Sequence, residues 1–272
     1  MYSILEQYLS TNHILMIGMI VTFILTFFLL EHPFSFLPSD QGRAFAVNGS
    51  LSKGKLRGVG FIFVLCFLIS SALFLPIDVE YVIYAILLFA MMISGYLDDA
   101  SKTPWNEYKK GLIDLVISVV AVLTYMNFNS TTIYFGAEEI VIPKALFLIL
   151  GVILIWVSVN VTNCTDGVDG LCASLCSVTL LAFGVLFAPV LQKYAMANFL
   201  FLSVLFAYLY FNSSPSSMLM GDAGSRALGF YIAVIALKST HPFIYLLLAA
   251  VMIVDGGIGL VKIALKRFLK IS

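Results

Sequence analysis

Three short polar stretches of this 272-residue chain gather side chains able to bind a metal ion or move a proton. The first, Gly95–Ala100, contains the adjacent carboxylates Asp98 and Asp99. Neighbours on a helix point about 100° apart, so the two should meet different partners, one a metal and the other a reacting group. The second, Asn160–Gly170, carries Asn160, Asn163, Thr165, Asp166 and Asp169, with Gly167 and Gly170 free to take backbone conformations that other residues avoid. If this stretch is helical, Asp166 and Asp169 share a face at i,i+3. The third, Met218–Gly229, sets Asp222 and Ser225 beside Gly221 and Gly224, where the N–H groups of a starting helix could face an anion. A fourth stretch, Leu37–Gly60, interleaves Lys53, Lys55 and Arg57 with glycines, a pattern suited to phosphate. Each stretch has a plainer alternative. These are a solvated helix end, a capped polar turn, an N-cap with Arg226 anchored at an interface, and basic residues placed only by topology.

The elements that must position these residues are set by composition. Apolar residues make up 61% of the chain and charged residues 11%, against about 25% charged in soluble domains. Mean hydropathy is +1.03. Too few charges remain to coat a water-facing surface, which excludes a soluble enzyme, a nucleic-acid binder and a disordered chain. Cys66, Cys164, Cys172 and Cys176 lack metal-like spacing and read as small buried side chains. A spanning helix needs about 20 apolar residues. Nine apolar runs qualify as candidates: Ile14–Leu30, Val59–Leu75, Val79–Leu97, Leu112–Phe128, Ala145–Val159, Leu171–Val190, Ala195–Phe211, Ala223–Leu237 and Phe243–Leu265. Backbone polar groups in lipid must be satisfied internally, so these are helices. The expected fold is therefore all-α, a polytopic integral membrane protein of about nine transmembrane helices and one domain over residues 1–272. The β-branched and aromatic residues around Gly136 predict a small hairpin outside the membrane.

Two spans separate each motif-rich loop from the next, so all four loops fall on one side. That side also holds Arg43, Lys53, Lys55, Arg57, Lys102, Lys109, Lys110, Arg226, Lys262, Lys266, Arg267 and Lys270, leaving only Lys144, Lys193 and Lys238 for the other. The positive-inside rule makes the motif side cytoplasmic. Five carboxylates then converge with several basic groups, as a Mg²⁺-bound phosphate substrate requires. Metal and cations would neutralise charge on a pyrophosphate leaving group.

The Asp-Asp pair, the Asn-x-x-Asn-x-Thr-Asp-Gly-x-Asp-Gly stretch and the Met-Gly-Asp-x-Gly-Ser segment, in this order and on one face, resemble the polyprenyl-phosphate N-acetylhexosamine-1-phosphate transferases. Within them the chain is most similar to the bacterial phospho-N-acetylmuramoyl-pentapeptide transferase branch, from the first loop to the ninth span. The resemblance implies a bacterial inner-membrane, multi-pass enzyme with a cytoplasmic site. It would pass a sugar phosphate from UDP-N-acetylmuramoyl-pentapeptide to undecaprenyl phosphate, giving lipid I and UMP in peptidoglycan synthesis. It implies Mg²⁺ on Asp222 with Asp99 in support, and Asp98 as base on the lipid phosphate. Asn160, Asp166 and Asp169 would line the nucleotide pocket; Lys53, Lys55, Lys102, Asn163, Gly167 and Ser225 would add substrate contacts. Further expected partners are the bilayer, a second copy in a homodimer and nucleoside-type inhibitors, but no nucleic acid. Relatives carry a histidine loop and a tenth span after the ninth. The chain stops at Ser272 and is expected to be an incomplete sequence lacking both. Leu219 stands where relatives often place an aromatic residue.

The nearer rival is a sister transferase using UDP-N-acetylglucosamine. A rival from another class is a secondary transporter using the intramembrane acids Asp114 and Asp255. The ninth run carries Asp255-Gly256-Gly257 and Gly259. Glycine weakens a helix by about 1 kcal/mol relative to Ala, so this span is expected to bend near Asp255–Gly259. Asp255 would face protein or water, and Lys262, Lys266 and Lys270 would share one face.

Overall fold

The computed structural model describes residues 1–32, 34–40, 42, 52–101, 103 and 105–265. A one-turn helix α1 (Tyr2–Leu5) precedes α2 (Thr11–Glu31), α3 (Gly60–Phe74), α4 (Val79–Asp99) and α5 (Glu107–Phe128). The hairpin strands β1 (Thr132–Phe135) and β2 (Glu138–Val141) follow. The chain continues through α6 (Lys144–Thr165), α7 (Leu171–Leu186), α8 (Ala188–Leu191), α9 (Lys193–Asn212), α10 (Gly221–Lys238), α11 (Pro242–Leu248) and α12 (Ala250–Ala264). Side-chain oxygens mark several starts: Asp78 accepts from Tyr81 N at 2.9 Å, and Asn106 from Tyr108 N at 2.9 Å.

All nine apolar runs are helical, and the chain is an all-α membrane protein. Among the described residues, five helices (α2, α4, α5, α6 and α9) are long and apolar enough to cross a bilayer, and the α11–α12 pair would make a sixth. Nine full spans are therefore not established. α3 and α7 are shorter apolar helices. α10, the least apolar run, is the most enclosed: every residue from Gly221 to Leu237 is buried. It packs against α4, α6 and α3, so its outer surface is protein, and it can carry Asp222 and Arg226 that a lipid-facing helix could not.

Small residues allow this burial. A methyl at Gly60 would lie 2.1 Å from Gly224 N, and one at Gly95 would lie 2.3 Å from the Asp222 carbonyl oxygen. The backbones of α3 and α4 thus touch the first turn of α10 directly, the small-residue packing common between membrane helices. The far end is held differently. Lys238 Nζ lies 3.0 Å from Glu80, and Asn129 bridges both, donating to Glu80 at 2.7 Å and accepting from Lys238 at 2.7 Å. Lys193 pairs with Asp78 nearby.

The hairpin forms as expected, with Ile133 opposite Ile140 and Gly136 in the turn at φ +62°. It docks through Tyr134 N to Thr240 O at 2.9 Å and through Tyr134 stacked on His241. All four cysteines are free; three are buried and Cys164 is half-buried.

The ninth run corrects the expectation about glycine. The chain turns by 80° between α11 and α12, at Ala249, not near Asp255–Gly259. Ala249 leaves the helical conformation at ψ +15°, and buried Tyr245, Ala249 and Met252 pin the corner. Gly256 serves packing instead, since a methyl there would lie 2.2 Å from Val161 O on α6. Asp255 is exposed. Lys266 and Lys270 lie outside the described residues.

These contacts predict opposite outcomes for two like substitutions. Gly60→Ala should destabilise the detergent-solubilised protein by about 1–3 kcal/mol or more, the usual cost of overpacking. Gly257→Ala meets nothing within 4 Å, and should leave the thermal midpoint unchanged or higher. Thermal unfolding followed by size-exclusion chromatography distinguishes them, and equal midpoints would contradict the packing described.

Candidate active site

The site is built where α4 ends and α5 and α10 begin. The first loop threads between them through backbone hydrogen bonds: Leu219 N to Leu56 O at 2.8 Å, Val59 N to Leu219 O at 3.2 Å and Gly60 N to Met220 O at 3.0 Å. This pairing fixes Arg57. Its Nε lies 2.8 Å from Asp99 Oδ1, its Nη2 3.2 Å from Asp222 Oδ1 and its Nη1 3.3 Å from Asp40 Oδ1. One planar guanidinium therefore joins three carboxylates from three elements. Burial opposes the charge on Arg57; Asp99, Asp222, Asp40 and Asp166 outweigh it and raise its pKa.

Asp98 and Asp99 diverge as the helical geometry required. Asp98 pairs with Lys110 and accepts Trp105 N at 2.7 Å. Asp99 takes Arg57 on one oxygen and Ala223 N on the other at 3.1 Å. Gly221 makes this possible: its φ is +66°, and a methyl there would lie 2.3 Å from Asp99 Oδ2. Asp222 receives Lys110 at 3.1 Å and Asn163 Nδ2 at 3.4 Å on Oδ2. Ser225 Oγ donates to Asn163 Oδ1 at 3.1 Å, orienting that amide.

A second cluster lies beside the first. Asp169 accepts Ser216 N at 3.0 Å and lies 3.7 Å from Lys55 Nζ, which itself donates to Ser216 Oγ at 2.8 Å. Partial burial works against charge on Asp169, but the Ser216 and Lys55 contacts prevail and hold its carboxyl below the usual range. Asn212 ties this loop together, accepting Gly170 N at 3.0 Å and donating to Met218 O at 2.9 Å.

Not every expected residue joins these two clusters. Asp166 and Asp169 do not share a helical face, because α6 ends at Thr165 and both sit in turns. Asn160 points away from the cluster, donating to Trp156 O at 2.8 Å on its own helix. Gly167 shapes the turn, its N–H reaching Thr165 O at 2.8 Å. Lys53 is exposed, and Lys102 lies outside the described residues. Leu219 is buried at 3% exposure, packed inward as its backbone pairs with Leu56. Arg226 is no interfacial anchor; it is buried and paired with Asp114, so Asp114 is not the free acid a transporter would need.

The sequence pattern does not single out Lys110 or Asp40 as site residues, and it presents Arg57 as one basic residue among several. Nothing in the spacing separates Lys110 from Lys109, which instead lies 3.3 Å from the Trp105 ring centroid. Asp40 sits in a loop without periodicity.

The donor chemistry fits a divalent metal. Asp40, Asp98, Asp99 and Asp222 supply four carboxylates against the two cations Arg57 and Lys110, an excess of negative charge among the described residues. Among the described residues no group of three or more His, Cys, Asp or Glu side chains is placed to hold a metal ion, so such protein ligands alone could number at most two. Mg²⁺ asks only for one or two carboxylates and gives its remaining positions to phosphate and water.

Comparison with known proteins supplies the class, a membrane-embedded transferase. The glycosyl transferase family 4 model matches residues 81–240, which contain Asp98, Asp99, Asn163, Asp169 and Asp222. The chain belongs to that family. It is 36% identical over 274 residues to the phospho-N-acetylmuramoyl-pentapeptide-transferase of Treponema pallidum (strain Nichols), covering 93% of this chain and 76% of that protein. Proteins of the same name from Halalkalibacterium halodurans and Dictyoglomus turgidum are 27% and 25% identical, with 90% of this chain covered in each case.

Removing the guanidinium should be felt in stability first. Arg57→Ala leaves three carboxylates short of a partner. It should cost about 1–2 kcal/mol, less than the 3–5 kcal/mol of a sealed pair because water reaches this side chain. Arg57→Lys keeps the charge but cannot span three partners, and should recover less than half of the loss in thermal midpoint. Full recovery with Lys would show that the fork geometry is unimportant.

Proposed function

We propose that this chain transfers phospho-N-acetylmuramoyl-pentapeptide from its UDP-linked donor to undecaprenyl phosphate, releasing UMP. The observation that carries this reading is the convergence of Asp98, Asp99 and Asp222 on Arg57 and Lys110 at one end of a membrane bundle. The names of the relatives support the choice of donor. The lipid phosphate oxygen attacks the sugar-bound phosphorus. A new P–O bond forms, the bond to the bridging oxygen breaks, and that oxygen leaves with UMP. A proton on the lipid phosphate passes to Asp98, whose carboxylate is steadied by Trp105 N–H and Lys110. Asp222 and Asp99 would hold Mg²⁺, which when bound neutralises charge on the diphosphate. Lys55 and Asp169, paired in the neighbouring loop, would face the donor.

The acceptor is a lipid and the donor is water-soluble, so the site must open to both. The turn at Ala249 swings α12 away from the line of α11. α12 exposes Val251, Val254, Ile258 and Val261, an apolar flank along which the polyprenyl chain would approach. The excess of basic residues on the motif side supports a cytoplasmic location for this end.

Asp98→Asn, Asp99→Asn and Asp222→Asn should each lower UMP release on the order of 10²-fold or more, since each keeps size and loses charge. Activity should require Mg²⁺ or Mn²⁺, and near-normal turnover in Asp222→Asn would sink the metal assignment. Comparing UDP-N-acetylmuramoyl-pentapeptide with UDP-N-acetylglucosamine as radiolabelled donors tests the sugar. A cysteine at Lys53 should react with impermeant thiol reagents only from the cytoplasmic side. Labelling from outside intact cells would reverse the topology.

A further inference from the structure

Lys110 and Asp114 lie one turn apart on α5, and Asp222 and Arg226 lie one turn apart on α10. The helices meet so that Lys110 contacts Asp222 at 3.1 Å while, one turn deeper, Asp114 contacts Arg226. Charge sign alternates along each helix and across the gap between them. The deeper pair is sealed, with Arg226 at 1% and Asp114 at 2% exposure. Arg226 Nη1 has no hydrogen-bond partner among the described residues, so the guanidinium has a donor to spare. Asp222 already lies within electrostatic reach of Arg226, as well as of Lys110 and Arg57. Residues four apart on one helix are neighbours. A guanidinium released by Asp114 therefore has its next anion on its own helix, at Asp222.

We propose that Asp114 is a positioning residue that holds Arg226 away from Asp222, leaving Asp222 to Lys110, Arg57 and the substrate. Without that restraint Arg226 would compete for the Asp222 carboxylate and displace Lys110. Both consequences fall on the site, although neither Asp114 nor Arg226 reaches it. The kinetic consequence rests on the reaction proposed above, whereas the exchange of partners does not.

The test reads Lys110 directly. The full chain in detergent is treated with an N-hydroxysuccinimide acetate, and acylation of each lysine is followed by mass spectrometry. Asp114→Asn keeps size and an acceptor but removes the charge. Lys110, losing Asp222 and left with Asp98 alone, should then acylate about twofold faster or more, as an amine with one fewer anion holding its proton, while exposed Lys109 is unchanged. Asp114→Asn with Arg226→Gln removes the competitor and should return Lys110 to wild-type reactivity, as should Asp114→Glu. In the transfer assay Asp114→Asn should lower kcat about tenfold with KM for the UDP donor little changed, and the double variant should recover. Asp114→Ser replaces the Asn variant should that protein not fold. Unchanged Lys110 reactivity, a parallel rise at Lys109, or failure of the double variant to restore it would each overturn the proposal. A wild-type chain without UMP release would defeat the reaction instead, and the acylation result would still decide the role of Asp114.

Discussion

α10 has almost no surface of its own, and the rest of the molecule is arranged around that fact. Its seventeen buried residues can be enclosed only if neighbouring backbones come to van der Waals distance, which Gly60, Gly95 and Gly224 allow. Close approach of α4 then sets Asp99 against Ala223 N, and close approach of α3 sets the first loop against Met220. The positions of the carboxylates are thus a product of helix packing. The packing in turn tolerates charge on α10 because Arg57, Lys110 and Asp114 arrive from surrounding elements to meet it.

Much of this was legible in the chain before any coordinates. The apolar runs located every long helix, with ends that differ most where polar turns extend α5 back to Glu107 and α6 on to Thr165, because lipid leaves the backbone no alternative to internal hydrogen bonding. Span parity brought the four loops together, and Arg57, Asp99, Asp222 and Asn163 do meet there. Adjacent carboxylates on a helix had to diverge, and Asp98 and Asp99 do. What periodicity could not give was helix surroundings. Ala223–Leu237 is a short run that opens with Gly224 and Arg226, yet it is the most enclosed helix. Hydropathy measures the cost of facing lipid, and α10 does not face it.

The misreadings have one physical origin. Glycine near the middle of a helix suggests weakness, but Gly256 is needed for contact with α6, and the chain breaks at Ala249 where no propensity signal exists. Asn160 and Asn163 have the same chemistry at neighbouring turns, and only the rotation of α6 decides that Asn163 meets Asp222 while Asn160 folds back on Trp156. Lys109 and Lys110 differ by one residue in the same way. Where function turns on which face of a helix looks inward, sequence spacing narrows the choice and packing makes it.

The knot of Lys238, Glu80 and Asn129 has a mechanical meaning. α10 carries its acidic residue in its first turn and its basic residue in its last, in line with the helix dipole, and both ends are tied by charge to other helices. A rod clamped at both ends can neither slide nor rotate without breaking contacts at each. It behaves as a strut, and any compliance that the proposed reaction requires must lie in the parts around it. α12 carries neither clamp: it lies on α6 through the backbone contact at Gly256, and movement along that seam breaks no ion pair described above.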